Sequence, residues 1–103
     1  MAFKITPDPT FTAKFDFVYP GGDSTPVSVE YKYHDKTQLD VYYQQIKGKT
    51  DFECLDMIIV SWEGFHAPWS EQAYQDVASK YPSAPAQFYD AFHRELLGAR
   101  RKN

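Results

Sequence analysis

FTAKFDFVYPGGDSTPVSVEYKY, residues 11–33, is the stretch that decides the fold. Apolar residues occupy every second position in both of its arms: Phe11, Ala13, Phe15, Phe17 and Tyr19 in the first, and Val27, Val29, Tyr31 and Tyr33 in the second. This period of two is typical of a strand with one buried face. PGGDSTP, residues 20–26, joins the arms and consists of turn-forming residues. We therefore predict an antiparallel β-hairpin with strands at residues 11–19 and 27–33.

Helices are predicted to cover the apolar face of this hairpin, because an isolated hairpin is only marginally stable in water. Four segments with apolar residues at helical spacing follow, each preceded by a capping residue: Asp35, Thr50, Ser70 and Ser83. Two of these caps have a glutamine or glutamate three positions later, Gln38 and Glu53, which is the capping-box pattern. The predicted helices cover residues 36–47, 51–62, 71–81 and 84–97.

The second of these helices is predicted to be central to the core. Phe52, Leu55, Ile59 and Trp62 lie at helical spacing, and Gly64 is predicted to end the helix. Strands that precede a run of helices are typical of an α+β fold. The chain of 103 residues is therefore predicted to form a single α+β domain, with an N-terminal antiparallel hairpin or small sheet followed by about four packed helices.

Composition and charge argue against several classes of protein. The net charge of −3 does not favour nucleic acid as a partner. The N-terminus lacks the pattern of a signal peptide, and the longest apolar run, residues 57–60, is far shorter than a membrane span. Cys54 is the single cysteine, which precludes an internal disulfide and fits a reducing compartment. We therefore expect an intracellular protein that does not associate with membranes.

No catalytic or metal-binding pattern stands out. The three histidines, His34, His66 and His93, fall in different predicted elements and do not share the spacing of a metal site. A small hydrolase that pairs His66 with Cys54 or a serine stays open as a minor alternative, because such partners meet in space and not in sequence. We expect packing or surface roles for the histidines, no cofactor and no enzymatic activity.

The aromatic residues offer the best physical indication of function. SWEGFHAPWS, residues 61–70, places Trp62, Phe65 and Trp69 around a predicted corner between two helices, where they serve either the core or a partner interface. The C-terminal ARRKN contributes three cations, which complement a helix C-terminus or bind an acidic partner. The candidate partner-binding residues are Trp62, Phe65, Trp69, Arg100, Arg101 and Lys102.

Several segments resemble the small tail assembly chaperones of long-tailed bacteriophages and prophages. They are the start MAFKITPDPTFTAKF, the joint WEGFHAPWS with the following EQAY, the segment KYPSA, and the ending FHRELLGARRKN. The joint and the terminal GARRKN are the most specific of them. The resemblance extends over nearly the whole chain.

The resemblance implies a non-catalytic assembly factor in the cytoplasm of the bacterial host. Such chaperones bind the long, largely helical tape measure protein, help tail tube protein polymerise around it, and leave before the virion is complete. The tape measure protein is therefore the expected partner, with the tail tube protein as a second candidate. Homo-oligomerisation is compatible with weak contacts spread over many copies. The alternative is a structural tail component, such as a tail-completion or tube-associated protein.

Overall fold

The computed structural model describes residues 5–98, and within this range the chain forms a three-stranded antiparallel sheet and four helices. In chain order the elements are β1 (Thr10–Val18), β2 (Ser24–Lys32), α1 (Lys36–Gln45), α2 (Asp51–Asp56), β3 (Ile59–Glu63), α3 (Glu71–Lys80) and α4 (Ala84–Leu96). The strand order is β1-β2-β3, so the second arm of the hairpin lies at the centre of the sheet. The predicted α+β class with its N-terminal hairpin is confirmed.

The hairpin buries the predicted face, although β2 begins at Ser24 and not at the predicted Val27. Phe11 lies opposite Tyr31, and Phe17 lies opposite Thr25. Gly21 and Gly22 take positive φ angles of 102° and 88° at the turn, a conformation that glycine adopts without steric cost. The alternate side chains form two faces, one buried under the helices and one that is mostly polar and exposed.

The predicted helix over residues 51–62 is wrong beyond Asp56. The chain leaves the helical path at Met57, and Ile59–Glu63 pairs with β2 as the third strand. A β-bulge in this pairing explains why the apolar residues of this strand have helical spacing in the sequence. Ile59 lies opposite Tyr31 and Trp62 lies opposite Val29, so the bulge at Val60 brings two residues three positions apart to the same buried face. This spacing of three is also that of a helix.

All four helices begin directly after the predicted capping residues, at Lys36, Asp51, Glu71 and Ala84. Asp35 and Thr50 both form complete capping boxes, and the Ser70 side chain accepts a hydrogen bond from the backbone N–H of Ala73. Ser83 occupies the predicted N-cap position of α4, but its side chain makes no such cap bond. Its hydroxyl instead accepts a hydrogen bond from the Gln87 side chain at 2.9 Å.

Gln87 ties the start of α4 to the open edge of β1. Its side-chain amide accepts a hydrogen bond from the Val18 N–H at 2.8 Å and donates one to the Val18 carbonyl at 2.7 Å. These two bonds replace the backbone hydrogen bonds that a neighbouring strand would make. They satisfy backbone groups that an edge strand otherwise leaves unpaired.

The core is a stack of aromatic rings between the sheet and α4. Phe88 and Phe92 are fully buried on α4, and the ring of Phe92 lies 5.3 Å from that of Tyr31 on β2. The Tyr31 hydroxyl donates a hydrogen bond of 2.6 Å to the carbonyl of Phe88. Burial raises the pKa of this hydroxyl, so it stays protonated and available as a donor.

The Tyr31–Phe88 hydrogen bond yields a direct stability test. We expect Tyr31→Phe to lower the free energy of unfolding by about 1–2 kcal/mol, because a buried hydrogen bond is lost without a change in packing. Tyr33→Phe is the matched control, since Tyr33 neighbours the same Phe11 ring but makes no hydrogen bond through its hydroxyl in the described part of the chain. Urea unfolding measures both, and equal losses would contradict the role assigned to the Tyr31 hydroxyl.

Candidate functional site

The loop that joins β3 to α3, residues 64–70, is held against the hairpin by a close backbone contact at Gly64. Gly64 has a φ of 98°, and a β-carbon at this position would lie 2.9 Å from the carbonyl oxygen of Pro26 and 3.0 Å from Cα of Val27. Only glycine fits both the backbone conformation and the space. The corner is therefore a strand-to-helix joint, and not the joint between two helices that the sequence predicts.

The three large aromatic residues of this segment pack on one another. Trp62 is 6% exposed, and its ring stacks on Phe65 with centroids 4.0 Å apart. Trp69 contacts the same indole edge-on at 5.1 Å. The indole N–H of Trp62 donates a hydrogen bond of 2.8 Å to the carbonyl of Ala67, which closes the loop over the ring. Trp62 therefore belongs to the core, and Phe65 and Trp69 are half-buried on its margin.

Beside this cluster lies an apolar groove of about 560 Å³, which we call the hairpin groove. The hairpin, the 64–70 loop and α3 form its walls. Its main apolar lining residues are Phe17, Tyr19, Trp62, Phe65, Val77 and Tyr81. The groove is concave, largely apolar and open to solvent, which are the properties of a recognition site for bulky apolar groups.

The rim of the hairpin groove is polar. Asp76 is the acidic residue of the lining, and Gln72 donates a hydrogen bond of 3.0 Å to its carboxylate. Tyr81 is 37% exposed and forms an edge-to-face contact with Phe17 at 5.8 Å. Tyr19 shares a hydrogen bond of 2.8 Å with the hydroxyl of Thr25. Together with the exposed His66 imidazole, the rim therefore presents hydroxyl groups and one carboxylate around an apolar floor.

The geometry gives little support to catalysis by His66 and Cys54. His66 is exposed in the 64–70 loop, whereas Cys54 is buried on α2 and its thiol contacts the carbonyls of Ile46 and Lys49. Burial raises the pKa of the Cys54 thiol, which disfavours the nucleophilic thiolate. Within residues 5–98 no group of three or more His, Cys, Asp or Glu side chains is placed to hold a metal ion.

The family of the chain is given by a family model described as phage tail assembly chaperone, which matches residues 1–103. The chain belongs to the phage tail assembly chaperone family. The predicted resemblance to the tail assembly chaperones is thereby confirmed over the full length of the chain. No curated protein and no solved structure matches the chaperone.

The structure places the predicted partner-binding residues of the chaperone in two different situations. Trp62, Phe65 and Trp69 lie together at the hairpin groove, with Trp62 and Phe65 in its lining. Arg100, Arg101 and Lys102 lie outside the described residues. Their role in partner binding stays a prediction. Among the helices of the described residues, none is long and apolar enough to span a membrane.

The α3 wall of the groove is not among the candidate binding residues predicted from the sequence. Ala73, Val77 and Tyr81 recur at intervals of four residues, a pattern that indicates a core-facing stripe. Ala73 and Val77 are only half-buried, however, and Tyr81 is more exposed than either. A bulky aromatic residue directly before Pro82, at a helix end, is the one signal in the sequence that could have pointed to a surface role.

The Gly64 contact of the chaperone leads to a second stability test. Gly64→Ala and Gly22→Ala both place a side chain at a positive φ angle, which costs about 1–2 kcal/mol. Only the alanine at 64 also collides with backbone, because no atom lies within 4 Å of a β-carbon at Gly22. We expect Gly64→Ala to cost at least about 2 kcal/mol more than Gly22→Ala in urea unfolding. Equal losses would contradict the close approach of the loop to β2.

Proposed function

We propose that this chain binds the tape measure protein during phage tail assembly and acts without catalysis. The observation that carries the proposal is the match of the tail assembly chaperone family over residues 1–103. The family description supports an assembly role, and the tape measure protein is the partner that the resemblance implies. The proposed place of action is the cytoplasm of the bacterial host, before the virion is complete.

The hairpin groove supports this proposal physically. A helical tape measure protein that is not yet enclosed by the tube exposes apolar side chains to water, and covering them prevents aggregation. A groove lined by aromatic residues suits helix-in-groove recognition, in which a few side chains of one helix face anchor the partner. Tyrosine, tryptophan and phenylalanine are also the residues enriched at protein interfaces.

The size of the groove supports binding that can be reversed. A volume of about 560 Å³ accommodates a few side chains and not a whole helix, whose diameter with side chains is about 10–12 Å. One such contact binds weakly, because its favourable free energy must first offset the translational and rotational entropy that both partners lose on association. Many chaperone copies along one long partner would hold it collectively, and each copy could still leave when tube protein arrives.

Co-expression tests the proposal. The tape measure protein of the same phage should be largely soluble and should copurify with the chaperone when the two are produced together, and it should be insoluble when produced alone. The matched control is co-expression with an unrelated small protein of similar charge. Equal solubility of the tape measure protein in the two cases, without copurification, would contradict the proposal.

Mass spectrometry of purified virions separates this proposal from a structural role. An assembly chaperone is absent from mature particles, whereas a tail-completion or tube-associated protein is present in a fixed number of copies. We expect no peptides from this chain in virions and abundant peptides in lysates of infected cells. Stoichiometric recovery from virions would favour the structural role.

A further inference from the structure

Asp76 gives the hairpin groove an electrostatic preference. It lies between Ala73 and Val77 on the α3 wall, so its carboxylate stands beside the apolar lining. Gln72 donates one hydrogen bond to it, and no lysine or arginine of the described residues forms an ion pair with it. A carboxylate without a cationic partner at the margin of an apolar groove complements a ligand that carries a cation next to an apolar anchor.

We infer that the hairpin groove binds an amphipathic helical segment of the partner protein that inserts a bulky apolar side chain between Phe65 and Tyr81 and places a lysine or arginine against Asp76. This inference rests on the proposed function, because it names the binding surface for the tape measure protein. On the partner helix the apolar anchor and the cation lie three or four positions apart, the spacing that brings two side chains to one face.

The ends of the described chain lie away from the groove. Ala84, the first residue of α4, donates a hydrogen bond to Tyr81 at the groove, and from there α4 runs for 13 residues, or about 20 Å, towards the opposite end of the sheet. At that end Phe92 packs against Phe11, close to the start of β1. The groove therefore lies about one length of α4 from the start of β1 and from the end of α4.

A second copy of the chain is a poorer occupant than another protein. Leu97 is the most exposed bulky apolar side chain beside a described helix, at 60%, and it follows Arg94 by three residues. This pair has the spacing of the inferred ligand, but the guanidinium of Arg94 is already bound to Asp90. Docking of α4 into the groove of another copy would exchange this exposed ion pair for one with Asp76 and add no ion pair, whereas a partner helix with a free cation would add one.

Two pairs of variants test the inference, with the tape measure protein as the probe. Tyr81→Ala removes an aromatic wall of the groove, and Tyr43→Ala is its control because Tyr43 is equally exposed, at 36% against 37%, but lies on α1. Asp76→Lys reverses the charge at the rim, and Asp40→Lys makes the same change at an exposed position on α1. All four variants are compared with the unaltered chain at equal concentration, after circular dichroism has verified folding.

We expect Tyr81→Ala to weaken binding of the tape measure protein by about tenfold or more, as truncation of an interface aromatic residue does. Asp76→Lys should weaken binding by at least about fivefold at low salt and should reduce its salt dependence, because it replaces an attraction by a repulsion. Both control variants should bind within about twofold of the unaltered chain, the scatter expected for surface substitutions.

The outcomes separate the inference from the proposed function. If the unaltered chain does not bind the tape measure protein, the proposed function itself fails. If it binds and the groove variants bind as well as their controls, the function stands and the hairpin groove is the wrong surface. A change of oligomeric state in Tyr81→Ala, seen by light scattering without any loss of tape measure binding, would assign the groove to a second copy and overturn the inference.

Discussion

The structure depends on the pairing of β3 with the free edge of β2. This pairing turns the hairpin into a three-stranded sheet with β2 at its centre, and it brings Trp62 under α4, where the indole lies 6.3 Å from Phe88. It also sets the start of the 64–70 loop directly against Pro26 and Val27, where Gly64 leaves no room for a side chain. The core, the loop and the groove beside them therefore follow from one strand pairing.

The aromatic residues serve stability and recognition in one continuous layer. Phe88 contacts the rings of Trp62, Phe65 and Phe17, and Phe17 in turn contacts Tyr81 at the exposed rim. The floor of the groove is thus the outer surface of the core, and its shape is preorganised because the rings beneath it are fully packed. Such preorganisation reduces the entropy that binding costs and suits the reversible binding proposed for this chaperone.

Local patterns predicted most of the fold, and a long-range pairing accounts for what they missed. The hairpin and the capping boxes at Asp35 and Thr50 depend on neighbours in sequence, so their residues reveal them. The strand at Ile59–Glu63 depends on the free edge of β2, and its bulge imitates helical spacing. The Gln87–Val18 clamp spans 69 residues and has no sequence signature, because it arises only when distant elements pack together. The α3 wall of the groove has only the weak signal of Tyr81 before Pro82, since its role also depends on packing against the hairpin.

Hydrogen–deuterium exchange of the chaperone, with and without the tape measure protein, tests the central claim most directly. We expect slower exchange on binding around Tyr19 and Thr25 beside the hairpin turn, in the 64–70 loop and in α3, which together line the groove. We expect no change in α1 or at the start of β1, at the opposite end of the sheet. Protection confined to α1, or to strand positions away from the groove, would contradict the claim that the hairpin groove is where this chaperone holds its partner.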